Sequence, residues 1–481
     1  MNMMIMIAAA TLAVNFEEEV GKVRPELHSS GFGATISSCP VEKINDIKAM
    51  GFYAARTHDW ALVNSNQRVL DWHHIFPLAD KDAKDPSNYH FAPTDYLLKR
   101  TREELGHKVF YRLGTSIEHS GDKVHFNSLI PEDFDKAAEV FAATIRHYNH
   151  GWAKGFYWGI KYWEIWNEPD GFNNMWCLPE GDGGDEFRTY EEKEKIRREL
   201  FCEFYVKCIK RIKEEFGDSV KVGGPALCWD NTDYFQALFD ACKQAGVKPD
   251  FISWHHYCED PEVMLRSIEQ LRKLCDDNGF KDCELVINEW HYFSYSDYDW
   301  FKLRSADPKI IERIWTGPRS HNGIDSSCFN LATIAQFQYS KLTESYYYGC
   351  GFKNWGWADP QQQKYKVFYG LCMVGDFLKS GCDVLCGVNR YKPDAPKEGV
   401  VAALAAKSKD GKKRALLVSD YRVREKEIVI DVKGVPADAK VTAEIHDYTR
   451  DRAKAEVRFK DGKLTLTKPD EESAAWIVYF E

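Results

Sequence analysis

Short apolar runs alternate with longer amphipathic stretches along roughly the first 380 residues of the chain. A short apolar or β-branched run bounded by turn residues predicts a buried strand, whereas apolar residues spaced three or four apart over a longer stretch predict a helix. The predicted strands are Gly33–Ile36, Tyr53–His58, Val109–Leu113, Tyr162–Trp166, Val220–Gly223, Asp250–Trp254, Leu285–Asn288 and Cys350–Trp355. The predicted helices are Val41–Met50, Thr94–Leu105, Glu132–Tyr148, Arg188–Phe216, Tyr234–Ala245, Pro261–Asn278, Ser326–Ser340 and Lys366–Lys379.

Eight alternating pairs of strand and helix are the number in a (β/α)8 barrel, whose active sites lie at the carboxyl ends of the strands. A doubly wound open sheet is the rival fold. Such a sheet usually carries a glycine-rich phosphate turn after its first strand, and this sequence has none there. We therefore predict an α/β protein built on a (β/α)8 TIM barrel.

The pattern changes after about Leu385, where short alternating runs are separated by turn residues. The predicted strands of this part are Val400–Ala406, Lys413–Ser419, Glu427–Val432, Val441–His446, Ala455–Phe459, Lys463–Leu466 and Ala474–Phe480. Such a series is typical of an antiparallel β-sandwich. Because Thr11–Phe16 could supply one more strand, we expect a catalytic barrel over 25–380 and an accessory β-sandwich formed by 1–24 with 381–481.

The amino-acid composition excludes some classes of protein and disfavours others. Hydrophobic residues make up 44% and charged residues 29%, which excludes a wholly disordered chain. The formal net charge of −10 disfavours nucleic-acid binding, and no apolar run has the roughly 18–20 residues of a membrane helix. Aromatic residues make up 14%, and their flat apolar faces suit sugars. We expect a small carbohydrate as the partner, with no nucleic acid and no membrane, and leave a homo-oligomer open.

The chain contains 14 cysteines and no Cys-x-x-Cys pair, so we expect mostly buried free thiols and no zinc site. This usage favours a reducing compartment, and localisation leans cytoplasmic. Met1–Val14 is apolar but lacks a basic segment, so a first strand is favoured over a degenerate signal peptide.

Two glutamates stand near the ends of predicted strands. Glu168 follows the strand in Tyr162–Asp170, and Glu289 follows the strand in Glu284–Tyr292. In our count these are strands four and seven, close enough across a barrel mouth for the carboxylates to face each other. A facing carboxyl pair suits glycosidic cleavage, with retention at a separation of about 5–5.5 Å and inversion at about 6.5–9.5 Å. Either glutamate alone could be a structural, salt-bridged acid; the pair favours catalysis.

Several further motifs occur in a fixed order along the barrel segment. They are Tyr53–His58, Glu164–Pro169, Lys221–Ala226, Asp250–Tyr257, Asn288–Trp290, Asp325–Ser326 with Asn330, and Trp355–Asp359. In this order the motifs resemble glycoside hydrolase family 39, whose members include β-xylosidases and α-L-iduronidases of the retaining (β/α)8 clan. The resemblance spans most of residues 25–380. The Asn-Glu-Pro element alone is shared by the whole clan, so the ordered set is the more specific signal.

The resemblance implies roles for eight residues. Glu168 would be the acid/base and Glu289 the nucleophile, and a swap of these roles is opposed by their order along the barrel. The implied substrate-binding residues are Arg56, His58, Asn167, His255, Tyr257 and Trp355. Asn167 would hold the sugar 2-hydroxyl, Arg56 would lie beneath Glu289 and lower its pKa, and Tyr257 would donate to Glu289. The Glu289 anion would in turn raise the pKa of Glu168. His58 and His255 would line the first sugar subsite, and Trp355 would form its floor.

Two segments depart from the family pattern. Trp254 stands where some members have a basic residue, and the loop Gly114–His119 is unlike the plainer apolar loop of the xylosidases. Both lie where substrate identity would be set. We therefore expect a β-xylosidase-like exo-glycosidase, with β-galactosides, arabinose-containing disaccharides and uronides as alternative substrates of the same mechanism.

Other interpretations remain open at this stage. A catalytically silent carbohydrate-binding relative would be marked by a lost carboxylate, and both are present. The doublets His73-His74 and His255-His256 suggest a metal, but adjacent strand residues point to opposite faces, so we expect neither a metal nor a cofactor. Six tryptophans could stack on sugar, although core packing is the commoner role: Trp60, Trp72, Trp176, Trp290, Trp355 and Trp357.

Overall fold

The structure is a computed structural model and describes residues 12–34, 43–62, 68–116, 128–171, 175–178, 189–293, 306–349, 351–352, 355–359, 361–389, 399–470 and 472–481. Parts of some predictions lie outside these residues: 1–11 at the amino terminus, the carboxyl half of the predicted strand Gly33–Ile36, the end of the loop Gly114–His119, and residues 350 and 353–354 of the predicted strand Cys350–Trp355.

Eight parallel strands close into a barrel, which confirms the predicted fold class. Numbered in chain order after the first strand β1 (Leu12–Lys22), they are β2 (Ser29–Ser30), β3 (Ala54–Arg56), β4 (Lys108–Leu113), β5 (Tyr162–Ile165), β6 (Lys221–Leu227), β7 (Phe251–Cys258), β8 (Glu284–Tyr292) and β9 (Glu344–Tyr347). Both faces of these strands are covered, so most of their residues are buried.

Two of the eight strands differ from the prediction. The first barrel strand is Ser29–Ser30 rather than Gly33–Ile36, and the last is Glu344–Tyr347 rather than Cys350–Trp355. Ser29 and Ser30 pair with Tyr346 and Tyr347, so these two strands close the barrel against each other. Their residues are serine, glutamate and tyrosine, which do not form an apolar run, so the pattern in the sequence did not indicate them. The pair β10 (Gly351–Phe352) and β11 (Gly356–Ala358) forms a separate two-stranded sheet.

The short helices Trp72–Ile75 and Pro308–Ile311 were not predicted, whereas the other eight α-helices of the described residues agree closely with the predicted ranges. All ten of these α-helices lie around the barrel. They are Ile44–Met50, Trp72–Ile75, Ala92–Glu103, Phe134–His150, Tyr190–Phe216, Thr232–Ala245, Pro261–Asp277, Pro308–Ile311, Ile324–Gln338 and Lys366–Leu378. Several begin at a residue whose side chain accepts a backbone N–H of the first turn, which stabilises the helix end. Asp133 accepts from Lys136, and Thr189 forms a reciprocal capping box with Glu192.

The remaining strands form one curled sheet beside the barrel. They are β12 (Val384–Val388), β13 (Val400–Lys407), β14 (Arg414–Tyr421), β15 (Glu427–Lys433), β16 (Val441–His446), β17 (Ala453–Lys454), β18 (Arg458–Lys460), β19 (Lys463–Thr467) and β20 (Ala474–Phe480). The order in the sheet is β17-β16-β20-β14-β13-β12-β1-β15-β19-β18. All its pairs are antiparallel except β1 with β15.

The predicted strand Ala455–Phe459 is divided into two. Ala453–Lys454 pairs with β16 and Arg458–Lys460 pairs with β19, so the short segment between them links the two edges of the sheet. Since an extended chain spans at most about 3.6 Å per residue, the two edges lie within about 15 Å of each other. The sheet is therefore rolled upon itself, with its own core around Leu12, Phe16 and Trp476.

Polar contacts join this sheet to the barrel. Ser419 donates to the carbonyl of Cys328 at 2.7 Å, and Arg422 donates to Asp325 at 2.7 Å and to the Tyr292 hydroxyl at 2.6 Å. Tyr292 ends β8, so the sheet is tied to the strand that carries Glu289. The described cysteines are all free, and no helix in the described part of the chain is long and apolar enough to cross a membrane.

Candidate active site

Glu168 and Glu289 converge at the carboxyl-terminal mouth of the barrel. Glu168 lies just beyond β5, and Glu289 lies in the second half of β8. One carboxylate oxygen of each glutamate and one ring nitrogen of His255 all lie within 4.8 Å of one another. The side chain of Glu289 is 9% exposed and that of Glu168 is 23% exposed. The two acids therefore face one small space, which opens to solvent on the side of Glu168.

Hydrogen-bond donors and cations surround the carboxylate of Glu289. Arg56 Nη1 donates to its Oε2 at 3.4 Å, and His58 Nε2 lies 2.9 Å from the same oxygen. The hydroxyl of Tyr257 donates a short hydrogen bond to Oε1. Burial alone would raise the pKa of Glu289, but His255, His58 and Arg56 outweigh it and hold that pKa well below its usual range. Glu289 is thus an ionised carboxylate in a buried place.

Arg56 is held in place by a second buried carboxylate, Glu164 on β5. Arg56 Nε donates to Glu164 Oε2 at 2.7 Å, while Ser253 Oγ and Asn288 Nδ2 donate to Glu164 Oε1 at 2.6 and 2.5 Å. Burial opposes the charge of Arg56, but Glu164 and Glu289 more than compensate and raise its pKa. The guanidinium is thereby fixed beneath Glu289, as the resemblance implies.

Sequence reasoning did not assign a role to Glu164, Ser253 or Asn288. The signal was present, since Glu164 is a charged residue inside an otherwise apolar strand, and a buried carboxylate requires charged or hydrogen-bonding partners. Which partners it finds depends on the register of β5, β7 and β8.

Asn167 lies next to the acid pair and is also fixed by Arg56. Arg56 Nη2 donates to Asn167 Oδ1 at 2.7 Å. Because the amide oxygen is the acceptor here, the orientation of the amide is defined and its NH2 group is left to face other partners. Asn167 is 3% exposed, so this orientation is set by a buried contact.

His255 does not simply line a subsite, because it bridges the two glutamates. Its Nδ1 lies 2.8 Å from Glu168 Oε1, and its Nε2 lies 3.5 Å from Glu289 Oε2. Burial would lower its pKa, but the charges of Glu289 and Glu168 outweigh burial and raise it. A protonated His255 can therefore stabilise both carboxylates, whereas its neighbour His256 has a pKa lowered by burial.

The backbone around Glu168 adopts unusual conformations. Trp166, Glu168 and Ala226 have φ of 73°, 48° and 58°, a region that non-glycine residues enter at a cost of order 1 kcal/mol or more each. The Glu168 N–H donates to the carbonyl of Ala226 at 2.9 Å, which fixes this turn against the end of β6. Gly114 makes room for it, because a Cβ there would lie 2.9 Å from the ring of Trp166.

Asp170 and Cys228 extend the polar group beside Glu168. The Cys228 N–H donates to Asp170 Oδ1 at 2.9 Å. Burial is the main cause that raises the pKa of Asp170 to about 6, and the charge of Glu168 adds to it. Burial, followed by the charges of Glu168 and Asp170, raises the pKa of the Cys228 thiol, so this cysteine is a neutral thiol.

Trp355 lies in an aromatic wall near Glu289. Its ring packs edge to face with Tyr257 at 6.0 Å between centroids, stacks on Phe293 at 5.8 Å and meets His321 at 5.3 Å. Tyr257 also donates to Glu289, so this residue connects the aromatic wall directly to the carboxylate. This position is compatible with the floor of a sugar subsite.

The other tryptophans considered for stacking are mostly core residues. Trp60, Trp176, Trp290 and Trp357 are buried, and Trp72 is half-buried against Phe141. Trp254 is also fully buried within β7, so it does not present its ring at the mouth. The departure from the family at Trp254 therefore acts on packing of the barrel rather than on an exposed surface.

Among the residues that the structure describes, Glu168, His255 and Glu289 are also the one trio that could hold a metal ion. Its surroundings do not suit a cation, because the guanidinium of Arg56 lies 3.4 Å from Glu289 and the pKa of His255 is raised. The same surroundings suit a carboxylate that must stay ionised. His73 and His74 lie in the short helix Trp72–Ile75, where the ring of His73 contacts that of Trp72.

Comparison with known proteins adds sequence and fold likenesses. No protein-family model matches the chain. Over 221 residues it is 25% identical to a β-xylosidase from Geobacillus stearothermophilus, a match that takes in 40% of this chain and 39% of that protein. The chain thus spans about two fifths of the length of this curated relative.

Many solved structures are similar in fold over nearly the whole chain, and two serve as examples. One is a glucosidase from Croceicoccus marinus, with a TM-score of 0.71, 18% identity and coverage of 98% of this chain and 99% of that one. The other is a glycoside hydrolase family 51 α-L-arabinofuranosidase from Thermotoga petrophila, with a TM-score of 0.63, 13% identity and coverage of 98% and 100%. In fold, the chain is therefore a (β/α)8 barrel of the kind found in glycoside hydrolases, with an antiparallel β-sheet domain appended to it.

Proposed function

We propose that this chain is a retaining glycoside hydrolase that removes a terminal sugar, with Glu289 as nucleophile and Glu168 as acid/base. The observation that carries this proposal is the approach of the two carboxylates, one oxygen of each lying within 4.8 Å of the other. So close an approach favours a retaining enzyme, whose carboxyl groups are about 5–5.5 Å apart, over an inverting enzyme, which needs about 6.5–9.5 Å to admit a water molecule.

The two glutamates differ in the way that a double displacement needs. Glu289, ionised by its cationic neighbours, attacks the anomeric carbon and forms a glycosyl ester. Glu168, the more exposed of the two, gives its proton to the departing oxygen. Glu168 then takes a proton from water, which attacks the anomeric carbon and releases Glu289.

The surrounding side chains would hold the sugar during both steps. Since Asn167 accepts from Arg56 through its oxygen, its NH2 group is free to donate to the sugar 2-hydroxyl. His58 and Tyr257 hold Glu289 in position through its two oxygens, and Trp355 offers a flat apolar face beside Tyr257. His255 contacts whichever of the two acids is ionised, Glu289 before the glycosyl ester forms and Glu168 after it has formed.

We propose β-D-xylosides as the first substrates, in an enzyme similar to glycoside hydrolase family 39. The ordered motifs of the barrel and the sequence likeness to a β-xylosidase support this choice. β-Galactosides, arabinose-containing disaccharides and uronides are alternatives with the same chemistry.

A panel of nitrophenyl glycosides of pentoses, hexoses and uronic acids tests the proposal. The wild-type protein should cleave a β-linked member, and NMR of the first product should show the anomeric configuration of the substrate. An inverted product would contradict the assignment of Glu289 as nucleophile. Tight sugar binding without hydrolysis of any panel member would instead indicate a silent carbohydrate-binding protein.

A Glu168→Ala variant tests the acid/base role. It should lose at least about 10²-fold in kcat on substrates with poor leaving groups and much less on dinitrophenyl glycosides, which need no protonation. Added azide should restore turnover and give a glycosyl azide of retained configuration, because azide needs no general base. A Glu103→Gln variant, on the exposed surface of the helix Ala92–Glu103, is the control and should keep wild-type turnover on both kinds of substrate. Equal losses of Glu168→Ala on good and poor leaving groups would contradict the role of Glu168.

A further inference from the structure

Trp229 is the one exposed tryptophan in the described part of the chain. It is 49% exposed, whereas the other described tryptophans are buried or half-buried. Single exposed apolar residues are common on proteins, so exposure alone assigns no role. The position of Trp229 and the rigidity of its backbone distinguish it.

The backbone on both sides of Trp229 is anchored beside Glu168. On one side, Ala226 accepts the N–H of Glu168, and Cys228 donates its N–H to Asp170, both at 2.9 Å. On the other side, the Asn231 N–H donates to the carbonyl of Trp229 at 2.8 Å. Asn231 also caps the helix Thr232–Ala245 through its side chain. Trp229 therefore stands on an anchored turn just after β6, at the rim of the mouth and three residues beyond the carbonyl that accepts the N–H of Glu168.

The leaving group of the substrate must pass on this side. Glu289 and its partners are almost closed to solvent, so the sugar that becomes bound to Glu289 occupies the inner part of the mouth. Glu168 protonates the departing oxygen and is the more exposed acid, so the group attached to that oxygen lies outward, over Glu168 and the turn that follows β6.

We propose that Trp229 is the stacking platform for the leaving group, and that the group it recognises is a ring, such as the second sugar of a disaccharide or an aryl aglycone. The indole presents a flat apolar face suited to the C–H face of a pyranose. This inference rests on the proposed function. It adds that Trp229 contributes to the choice of leaving group.

Transfer of the sugar to an added alcohol tests the leaving-group subsite separately from the sugar subsite. When the glycosyl ester on Glu289 is attacked by an alcohol instead of water, the alcohol O–H loses its proton to Glu168. A new C–O bond forms at the anomeric carbon as the ester bond to Glu289 breaks. By microscopic reversibility the acceptor occupies the place of the leaving group. The ratio of transfer to a ring-bearing acceptor and to methanol thus reports on the outer subsite alone.

The experiment uses 2,4-dinitrophenyl β-D-xyloside as donor and methyl β-D-xyloside and methanol as competing acceptors. In Trp229→Ala, the transfer ratio of methyl β-D-xyloside to methanol should fall about five- to tenfold, as expected for the loss of a stacking contact. Trp229→Phe should restore most of the ratio, since it keeps an aromatic face. Tyr448→Ala is the matched control, because Tyr448 is 50% exposed on the appended sheet.

Two results would overturn the inference. If Trp229→Ala left both the ratio and the two transfer rates unchanged, Trp229 would not contact the acceptor. If the two transfer rates fell equally, so that the ratio stayed the same, the substitution would disturb Glu168 instead. No turnover by the wild type on any donor of the panel would overturn the proposed function itself, and this inference with it.

Discussion

Two buried glutamates on neighbouring strands of the barrel behave in opposite ways. Glu289 lies toward the mouth on β8, and Glu344 begins β9 at the opposite end of the barrel. Counted over the whole residue, Glu289 is 7% exposed and Glu344 is 5% exposed. The pKa of Glu289 is held well below its usual range, whereas burial raises the pKa of Glu344 to about 7. The depth of burial therefore does not explain the difference between their pKa values.

The sign of the neighbouring charges makes the difference. Glu289 has Arg56 and two histidines around it. The groups that act on Glu344 are the hydroxyls of Tyr346 and Tyr162 and the negative charges of Glu284 and Glu26. A cavity of about 810 Å³ opens at the end that contains Glu344, so cavity size alone does not mark the site of chemistry. A buried carboxylate can act as a nucleophile only where neighbouring cations offset the cost of removing its charge from water.

Neutralising each glutamate in turn should have very different consequences for turnover. Glu289→Gln should lower kcat by more than about 10³-fold on the best aryl glycoside, because the variant cannot form the glycosyl ester. Glu344→Gln should stay within about twofold of the wild type, since it touches none of the residues at the mouth. Steady-state kinetics on both variants tests the pair, and near-normal turnover of Glu289→Gln would refute the assignment.

A smaller effect is expected when one cationic neighbour of Glu289 is removed. His58→Gln should raise the pKa of Glu289, because a ring that stabilises the carboxylate is lost. Glu289 must be ionised to attack, so a raised pKa moves the acidic limb of the kcat/KM profile to higher pH. The loss of activity should therefore be larger on the acidic limb of the profile than at neutral pH.

The control for this variant is His90→Gln, which replaces an exposed histidine whose ring lies 5.4 Å from that of His74. Its pH profile should match that of the wild type. If His58→Gln lowered kcat/KM equally at every pH, His58 would bind substrate rather than set the ionisation of Glu289.

The sequence was sufficient to predict the convergence of Glu168 and Glu289. Both stand near strand ends within ordered motifs, and a parallel barrel brings such ends to one mouth. The bridging position of His255 was not predictable, because a sequence places a side chain on a face of a strand but does not fix its distance to two neighbours. The strands Ser29–Ser30 and Glu344–Tyr347 were missed because polar and aromatic residues replace the apolar run. Trp229 carried no signal either, since only its exposure and its anchored turn distinguish it from the other tryptophans.

The last effect concerns stability rather than turnover, and it arises from Glu344. Its folded pKa of about 7 lies above the ordinary value of 4.5, so between these values the folded state binds the proton more tightly than the unfolded state. The free energy of unfolding must then decrease as pH rises from about 4.5 to 7, and the loss is complete above pH 7. Glu344→Gln removes this loss, because glutamine does not ionise.

Relative to the wild type, Glu344→Gln should therefore gain about 2.5 kcal/mol in the free energy of unfolding between pH 5 and pH 8. Urea unfolding at a series of pH values measures the difference between the two proteins, so that all other titrating groups cancel. Glu103→Gln, on the exposed surface of the helix Ala92–Glu103, is the matched control and should show a difference independent of pH. If the difference for Glu344→Gln were also flat, Glu344 would be ionised in the folded protein, and the contrast with Glu289 would not lie in their charge.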